Sequence, residues 1–183
     1  MIQKQATLEL LQNYLPTEAA EVQFRQQMLD FIEKYPENFW SRQNQVGHLT
    51  ASAWITSPDR EQTLLIYHHK LQRWLQPGGH LEAEDEMLLG AALREAEEEC
   101  GVKGFQPISE AVFDLDIHTI PARRDVPEHL HLDTRFCFIL DPEVVLTRQA
   151  EEVEALRWFT HSELEQINLP DSLRRMMSKV RMR

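Results

Sequence analysis

The segment from Leu89 to Gly101 carries two stripes at once, and any fold that uses it must satisfy both. At about 100° per residue, Leu89, Ala92, Leu93, Ala96 and Cys100 line one apolar face of a helix, which has to be buried against another element. Glu95, Glu98 and Glu99 fall at relative angles of roughly 0°, 300° and 40°, a single arc about 100° wide. Glu97 points elsewhere and reads as solvated. Carboxylates at these spacings repel one another, whereas a hard divalent cation with oxygen ligands removes the repulsion and uses the charges. Gly101 follows as a C-terminal cap, and Gly78-Gly79 stands one short loop upstream, where a tight turn or a close approach of backbone to metal is expected. A solvated acidic face with Arg94 in an ordinary ion pair is the plain structural reading of the same residues.

The 183 residues fit one domain with a sizeable core, and 42% hydrophobic with 27% charged content is that of a soluble globular protein. No run of about 18 apolar residues occurs, and Met1-Ile2-Gln3-Lys4-Gln5 opens on polar residues, so no membrane association and a cytoplasmic location are expected. Cys100 and Cys137 read as buried reduced thiols, and no Cys-x-x-Cys pair suggests zinc. The formal charge is −11, and 8 of the 30 acids lie between Glu82 and Glu99 with Arg94 the only base among them. A nucleic-acid groove needs the opposite sign. An anionic small molecule reaches such a face only if metal ions first reverse the local charge.

Along the chain, residues 7 to 35 read as helix, with Leu8, Leu11 and Leu15 on one stripe before Pro16 and Phe24, Met28, Phe31, Ile32 and Tyr35 on a second, ended by Pro36. This segment is a packed extension, a contact in a homodimer or a lid. Strands are expected over His48 to Thr56 and Thr63 to His69, paired across Ser57-Pro58-Asp59, and again over Ala111 to Ile120, Leu130 to Leu140 and Val153 to Phe159. Thr160 and Glu163 form a capping-box pattern for a short helix. A last helix carries Leu173, Met176, Met177 and Val180, and its bases Arg174, Arg175, Lys179, Arg181 and Arg183 are expected to complement its dipole. The sum is an α+β fold.

The residues from Gly79 to Val102 resemble the Nudix box, G-x5-E-x7-R-E-U-x-E-E-x-G-U with U a bulky aliphatic residue. Arg94, Glu95, Glu98, Glu99, Gly101 and Val102 match in spacing. Glu86 stands at the acidic position relative to Arg94, but six residues rather than five separate it from Gly79, and Ala96 is smaller than the usual aliphatic. Gly47-His48-Leu49-Thr50-Ala51-Ser52-Ala53, Trp74-Leu75-Gln76-Pro77-Gly78-Gly79-His80 and Trp158-Phe159 look like flanking segments of a bacterial-type branch of that family with a one-residue-longer glycine loop.

The resemblance implies an αβα sandwich with a mixed central sheet, with residues 1–37 as an N-terminal helical extension and 38–183 as one Nudix hydrolase domain. It implies that Glu95, Glu98 and Glu99 hold Mg²⁺ or Mn²⁺, joined by a main-chain carbonyl at Gly79. Arg94 would orient Glu95, which is often assigned the base, although family members also draw the base from a loop outside the box. The catalytic set is then Glu95, Arg94 and Glu98. Glu86 is expected to pair with Arg94 and fix the loop, and His80 is a supporting donor or only a loop residue.

In Pro127 to Phe136 the odd positions His129, His131, Asp133 and Arg135 share one strand face and Leu130, Leu132 and Phe136 the other. His129 and Asp133 are roughly 13 Å apart at this rise, so a metal or phosphate contact falls to His129 or His131, or the face is simply polar. Arg123-Arg124 clamps a substrate phosphate or serves solubility. Trp74 and Tyr67 stack on a base or belong to the core. The function implied is metal-dependent hydrolysis of a diphosphate linkage in a nucleoside diphosphate joined to another group, by metal-activated water. A nucleotide sensor without catalysis and an isoprenoid-type diphosphate isomerase are the alternatives, the latter needing a cysteine at the site.

Overall fold

The computed structural model describes residues 2–123 and 126–181. In chain order the first elements are α1 (Lys4–Gln12), α2 (Ala19–Lys34), β1 (Gly47–Thr56), β2 (Gln62–His68), β3 (Arg73–Leu75), β4 (Gly78–His80) and α3 (Leu88–Cys100). They are followed by β5 (Gln106–Pro107), β6 (Asp114–Ile120), β7 (His129–Ile139), β8 (Val153–Thr160), α4 (His161–Gln166) and α5 (Asp171–Arg181). All ten residues of β1 are buried because it is the central strand. It runs parallel to β7 from Gly47 opposite Leu130 to Thr56 opposite Ile139, and on its other edge meets β2 and β4 antiparallel. β2 adds β3 and β8, and β7 adds β5 and β6, which makes a mixed sheet flanked by helices.

The alternation of β1 splits two cores. Leu49, Ala51, Ala53 and Ile55 point to a cluster that contains Ala91, Ala92, Ala96 and Cys100 of α3 with Leu11, Met28 and Ile32 of the N-terminal helices. Trp54 belongs to the other, with Leu65, Phe159 and α5's Leu173, Met176 and Val180. Burial of side chains this size stabilises the fold by roughly 1.5–3 kcal/mol each. The three alanines let α3 lie close on β1, and the buried arc of α3 is rotated from the expected stripe. It takes in Leu88, Ala91 and Glu99, while Leu89 and Leu93 are only partly buried. Among the described residues no helix is long and apolar enough to cross a membrane.

The N-terminal segment breaks at residues 13–18, because proline lacks an N–H and disfavours helix in the residue before it. Leu15 therefore leaves the expected stripe and is 82% exposed. A capping box between Glu18 and Glu21 restarts the chain as α2. Gly101 does cap α3 in the left-handed conformation, and Thr160 with Glu163 caps α4 as its pattern predicts.

One expectation fails beside the face of β7 opposite α3. Asp133 and Arg135 make that face polar and buried, and Arg175 and Lys179 of α5 turn inward instead of serving the helix dipole. Arg135 donates to Asp133 at 2.7 Å, Asp114 at 3.0 Å and Asp116 at 3.2 Å. Arg175 donates two bonds to Asp114, at 2.8 and 2.9 Å, and a third to the Leu115 carbonyl at 2.8 Å. Lys179 donates to Asp114 at 2.6 Å, to Tyr14 at 2.8 Å and to Glu21. Burial alone would raise the Glu21 carboxyl, but the Lys179 and Tyr14 hydrogen bonds prevail and hold it at about 2. Asp116 likewise resists burial, through His118 and the arginines, and titrates at about 2. Of the other C-terminal bases, Arg174 donates to the Ile167 and Leu169 carbonyls and Arg181 pairs with Glu165, while Arg183 lies outside the described residues.

Candidate functional site

Gly78 and Gly79 form the short strand β4 rather than the expected tight turn, with Gly78 opposite Ser52 and Gly79 opposite Ala51 of β1. The close approach explains the glycines. A Cβ on Gly78, whose φ is +153°, would lie 2.6 Å from the Ser52 Cα, and one on Gly79 would lie 2.7 Å from the Glu95 carboxylate. With side chains removed there, the acidic arc of α3 passes directly under β4. The Gly78 N–H donates to Glu99 Oε2 at 2.9 Å.

Arg94 organises the same corner. Its Nη1 donates to Glu95 at 3.0 Å and reaches Glu98 at 3.4 Å, and its Nη2 donates to the His80 carbonyl at 3.0 Å. The partner of its remaining edge is Asp85, held at 3.2 and 2.9 Å in a two-pronged pair. This corrects the expected pairing with Glu86, which is exposed. Five residues separate Gly79 from Asp85, so the acid sits at the usual distance from the glycine and the extra residue falls between it and Arg94. Asp85 also accepts the Glu82 N–H at 2.8 Å, a short closure that a longer Glu side chain would not make in the same place. Asp85→Asn is accordingly expected to cost about 1–2 kcal/mol, as a charge-assisted bond in a half-buried place, and Glu86→Gln to stay within about 0.5 kcal/mol. Thermal melts of the two variants measure this, and the reverse order would return the role to Glu86.

Burial, together with the charges of Glu95, Glu152 and Glu98, pushes the Glu99 carboxyl up to about 8 against the single opposing Gly78 N–H. Burial also raises Glu95, with Arg94 opposing and the Glu98 and Glu152 charges adding to the rise. Glu98 is half exposed. A buried carboxyl with like charges around it and one amide partner is a place where a cation lowers the free energy, and an all-oxygen donor set fits Mg²⁺ or Mn²⁺. Glu152, in the segment before β8, was missed from sequence, where it is one acid in the run Glu151-Glu152-Val153-Glu154 with no pattern to mark it.

The histidines come together on the opposite face of the sheet. His131 stands opposite His48 in the β1–β7 register and opposite His118 in the β6–β7 register, and His80 stands opposite Thr50, on the same face. His129 stacks on His48 with ring centroids 5.2 Å apart. Burial, reinforced by neighbouring charges, holds His48 at about 4, His80 at about 3 and His131 at about 2, so all three are neutral at pH 7. Asp133 takes no part, because its carboxylate accepts from Thr50, Ser52 and Arg135. Trp74 packs edge-on against Tyr67 and Phe159, 5.2 and 4.8 Å between centroids. Arg123 is exposed and bonded through its backbone to Val126, while Arg124 lies outside the described residues. Cys100 is buried, and its thiol is pushed up to about 12, first by burial and then by Glu99. Cys137 lies in the apolar cluster under α5. Neither suits the nucleophilic or acid role an isomerase would need.

Residues 46–180 match the family model of the NUDIX domain. Among solved structures the chain is similar to a NUDIX-family hydrolase from Clostridium perfringens, at 22% identity and TM-score 0.51, over 74% of this chain and 97% of that one. It is similar to the MutT protein of Methanosarcina mazei at 17% identity and TM-score 0.58, over 76% and 96% of the two chains. The NUDIX domain of Shewanella oneidensis NrtR, solved with ADP-ribose, aligns at 18% identity and TM-score 0.55, over 82% and 98%. Comparison with curated proteins returned no significant match.

Proposed function

Because the chain belongs to the NUDIX family, we propose that it is a metal-dependent pyrophosphohydrolase that cleaves the diphosphate linkage of a nucleoside diphosphate joined to another group. One observation carries the reading: Glu99, only 3% exposed, and Glu95 press against a glycine pair whose missing side chains leave their carboxylates room. Glu95, Glu98 and Glu99, with the backbone at Gly79, would hold Mg²⁺ or Mn²⁺. The ion when bound neutralises non-bridging phosphate oxygens and lowers the pKa of water.

The side chains supply the rest. Arg94 fixes the Glu95 carboxylate in one orientation through the 3.0 Å bond and is itself aimed by Asp85. Glu95, whose carboxylate faces the Gly79 backbone, would take the proton of the attacking water, and the Glu152 charge strengthens its hold on that proton. On the substrate side, Arg123 and Arg124 would clamp a phosphate, with His129, His131 and Trp74 as further contacts. The ADP-ribose bound to the Shewanella domain is of the proposed substrate class. A net charge of −11 keeps nucleic acid out of consideration.

The test is a panel of nucleotides, dinucleotides and nucleotide sugars incubated with Mg²⁺ or Mn²⁺ in ¹⁸O-water, with products read by mass spectrometry. Label in one phosphate product is expected, and its position gives the phosphorus attacked. Inactivity across the panel defeats the reading, and ligand bound with metal but left uncleaved replaces it with the sensor.

A linked effect follows from Glu99. Without a cation its carboxyl keeps a proton up to about pH 8, whereas a metal ligand must be ionised. Mg²⁺ binding at pH 7 is therefore expected to release a proton, and affinity to rise as pH climbs towards 8. Calorimetric titration in buffers of different ionisation enthalpy measures the release, and a buffer-independent heat would place the ion away from Glu99.

A further inference from the structure

We infer that His48, His80 and His131 form a second metal site, separate from the carboxylates, that takes a borderline-soft divalent ion such as Zn²⁺. The inference does not depend on the proposed hydrolysis. Three strands deliver one imidazole each to the same sheet face, and one ligand atom from each ring lies within 4.8 Å of the other two. Among the described residues this is the one group of three potential ligands gathered so closely, the glutamates of α3 not among them. Three nitrogens around one Zn²⁺ at about 2.0–2.1 Å are about 3.3 Å apart, so the ring nitrogens need to close by up to about 1.5 Å.

The rings are otherwise poorly served. His48 is 2% exposed, and neither of its ring nitrogens makes a well-formed hydrogen bond, only the Asn44 backbone being near enough to favour its charged form. Nε2 of His131 is buried and unpartnered too. Buried polar atoms are almost always satisfied, and a cation held among the three rings would engage one nitrogen of each.

The surroundings fit. His129 binds the Pro127 carbonyl through Nδ1 at 2.9 Å, which leaves Nε2 with a lone pair beside the cluster. His118 makes the same kind of contact with Asp116 at 3.2 Å. These contacts fix the two rings that border the cluster. A neutral nitrogen set disfavours Mg²⁺ and Ca²⁺, which take oxygen donors, and suits Zn²⁺, Ni²⁺ or Cu²⁺. The site is one residue from the carboxylates along the chain, because Gly79 faces Glu95 while the next residue, His80, faces the histidines.

The test uses the full chain, stripped with chelator, loaded with Zn²⁺ and desalted in the presence of excess Mg²⁺. One equivalent of zinc by elemental analysis is expected to remain in the wild type and in Glu98→Gln. His80→Asn and His131→Asn are expected to weaken zinc binding by at least about a hundredfold, since loss of even an outer-shell partner costs ten- to a hundredfold. Electron paramagnetic resonance of the Cu²⁺-loaded wild type adds a readout that needs no variant, with hyperfine splitting from imidazole nitrogen expected. Zinc lost from Glu98→Gln but kept by the histidine variants, no zinc retained by the wild type, or a copper spectrum without nitrogen splitting would each overturn the inference.

Discussion

Glu98→Gln is expected to lower kcat by roughly a thousandfold or more, the scale at which one preorganised electrostatic contact at a reacting phosphate registers, while leaving the thermal melt almost unmoved. The structure separates the two effects. Glu98 is half exposed, and among the described residues its one hydrogen bond is a long 3.4 Å contact from an Arg94 that already holds Asp85 and Glu95. Its removal therefore costs the fold no more than about 0.5 kcal/mol. Its charge, by contrast, sits on the acidic arc beside Glu95 and Glu99, where a cation would draw on all three carboxylates. Steady-state kinetics with saturating Mg²⁺, together with calorimetry of the same preparation, measure both. Full activity would remove Glu98 from the metal shell, and a large loss of stability would make the acidic face structural.

The second large effect is thermodynamic and lies across the sheet. Asp114→Ala is expected to destabilise the protein by about 3–5 kcal/mol, the cost of leaving buried charges uncompensated. Asp114 is fully buried and accepts from Arg135, Arg175 and Lys179 together. Domains of this kind are stable by only about 5–15 kcal/mol, and in a chain of this length the loss is a fall in Tm of roughly 10 °C. Denaturant titration reads it directly, and a change under about 1 kcal/mol would mean that water replaces the carboxylate.

The pH profile probes the same network. Glu21 and Asp116 titrate at about 2 in the fold, against 4.5 and 3.8 for the free groups. Between those values the unfolded chain binds more protons, so their contribution is complete above about pH 4.5 and disappears as pH falls towards 2. The neutral histidines add an earlier loss of the same sign, beginning as pH drops below 6.5, because unfolded imidazoles protonate while His48, His80 and His131 do not.

What could be read from sequence is what local geometry controls. The glutamate arc and Gly101 cap of α3, the capping box of Thr160 and Glu163, and the two-faced pattern of β7 each depend on residues within a turn or on strict alternation, and the family resemblance rests on that local spacing. The errors fell where the partner is set by packing. The pattern's spacing counted back from Arg94 favoured Glu86 over Asp85, but the folded loop brings Asp85 against the guanidinium. The alternation of β7 distinguished two faces without telling that Asp114 and Asp116 of β6 neutralise Arg135 on one of them, or that Arg175 of α5, 61 residues on from Asp114, pairs with that same carboxylate.

The histidines mark the boundary most plainly. Every one of them was visible in the sequence, two of them as His129-Leu130-His131, yet nothing local places His48 opposite His131 and beside His80. Strand register does so, and register is chosen by the burial of whole strand faces across the sheet, so a slip of one residue would send these side chains to the other side. Composition and periodicity thus determined the helices, the strands and the acid groups offered to a cation. Which charges neutralise one another inside, and which imidazoles share a pocket, was decided only when the sheet closed, since those contacts join residues up to 165 positions apart.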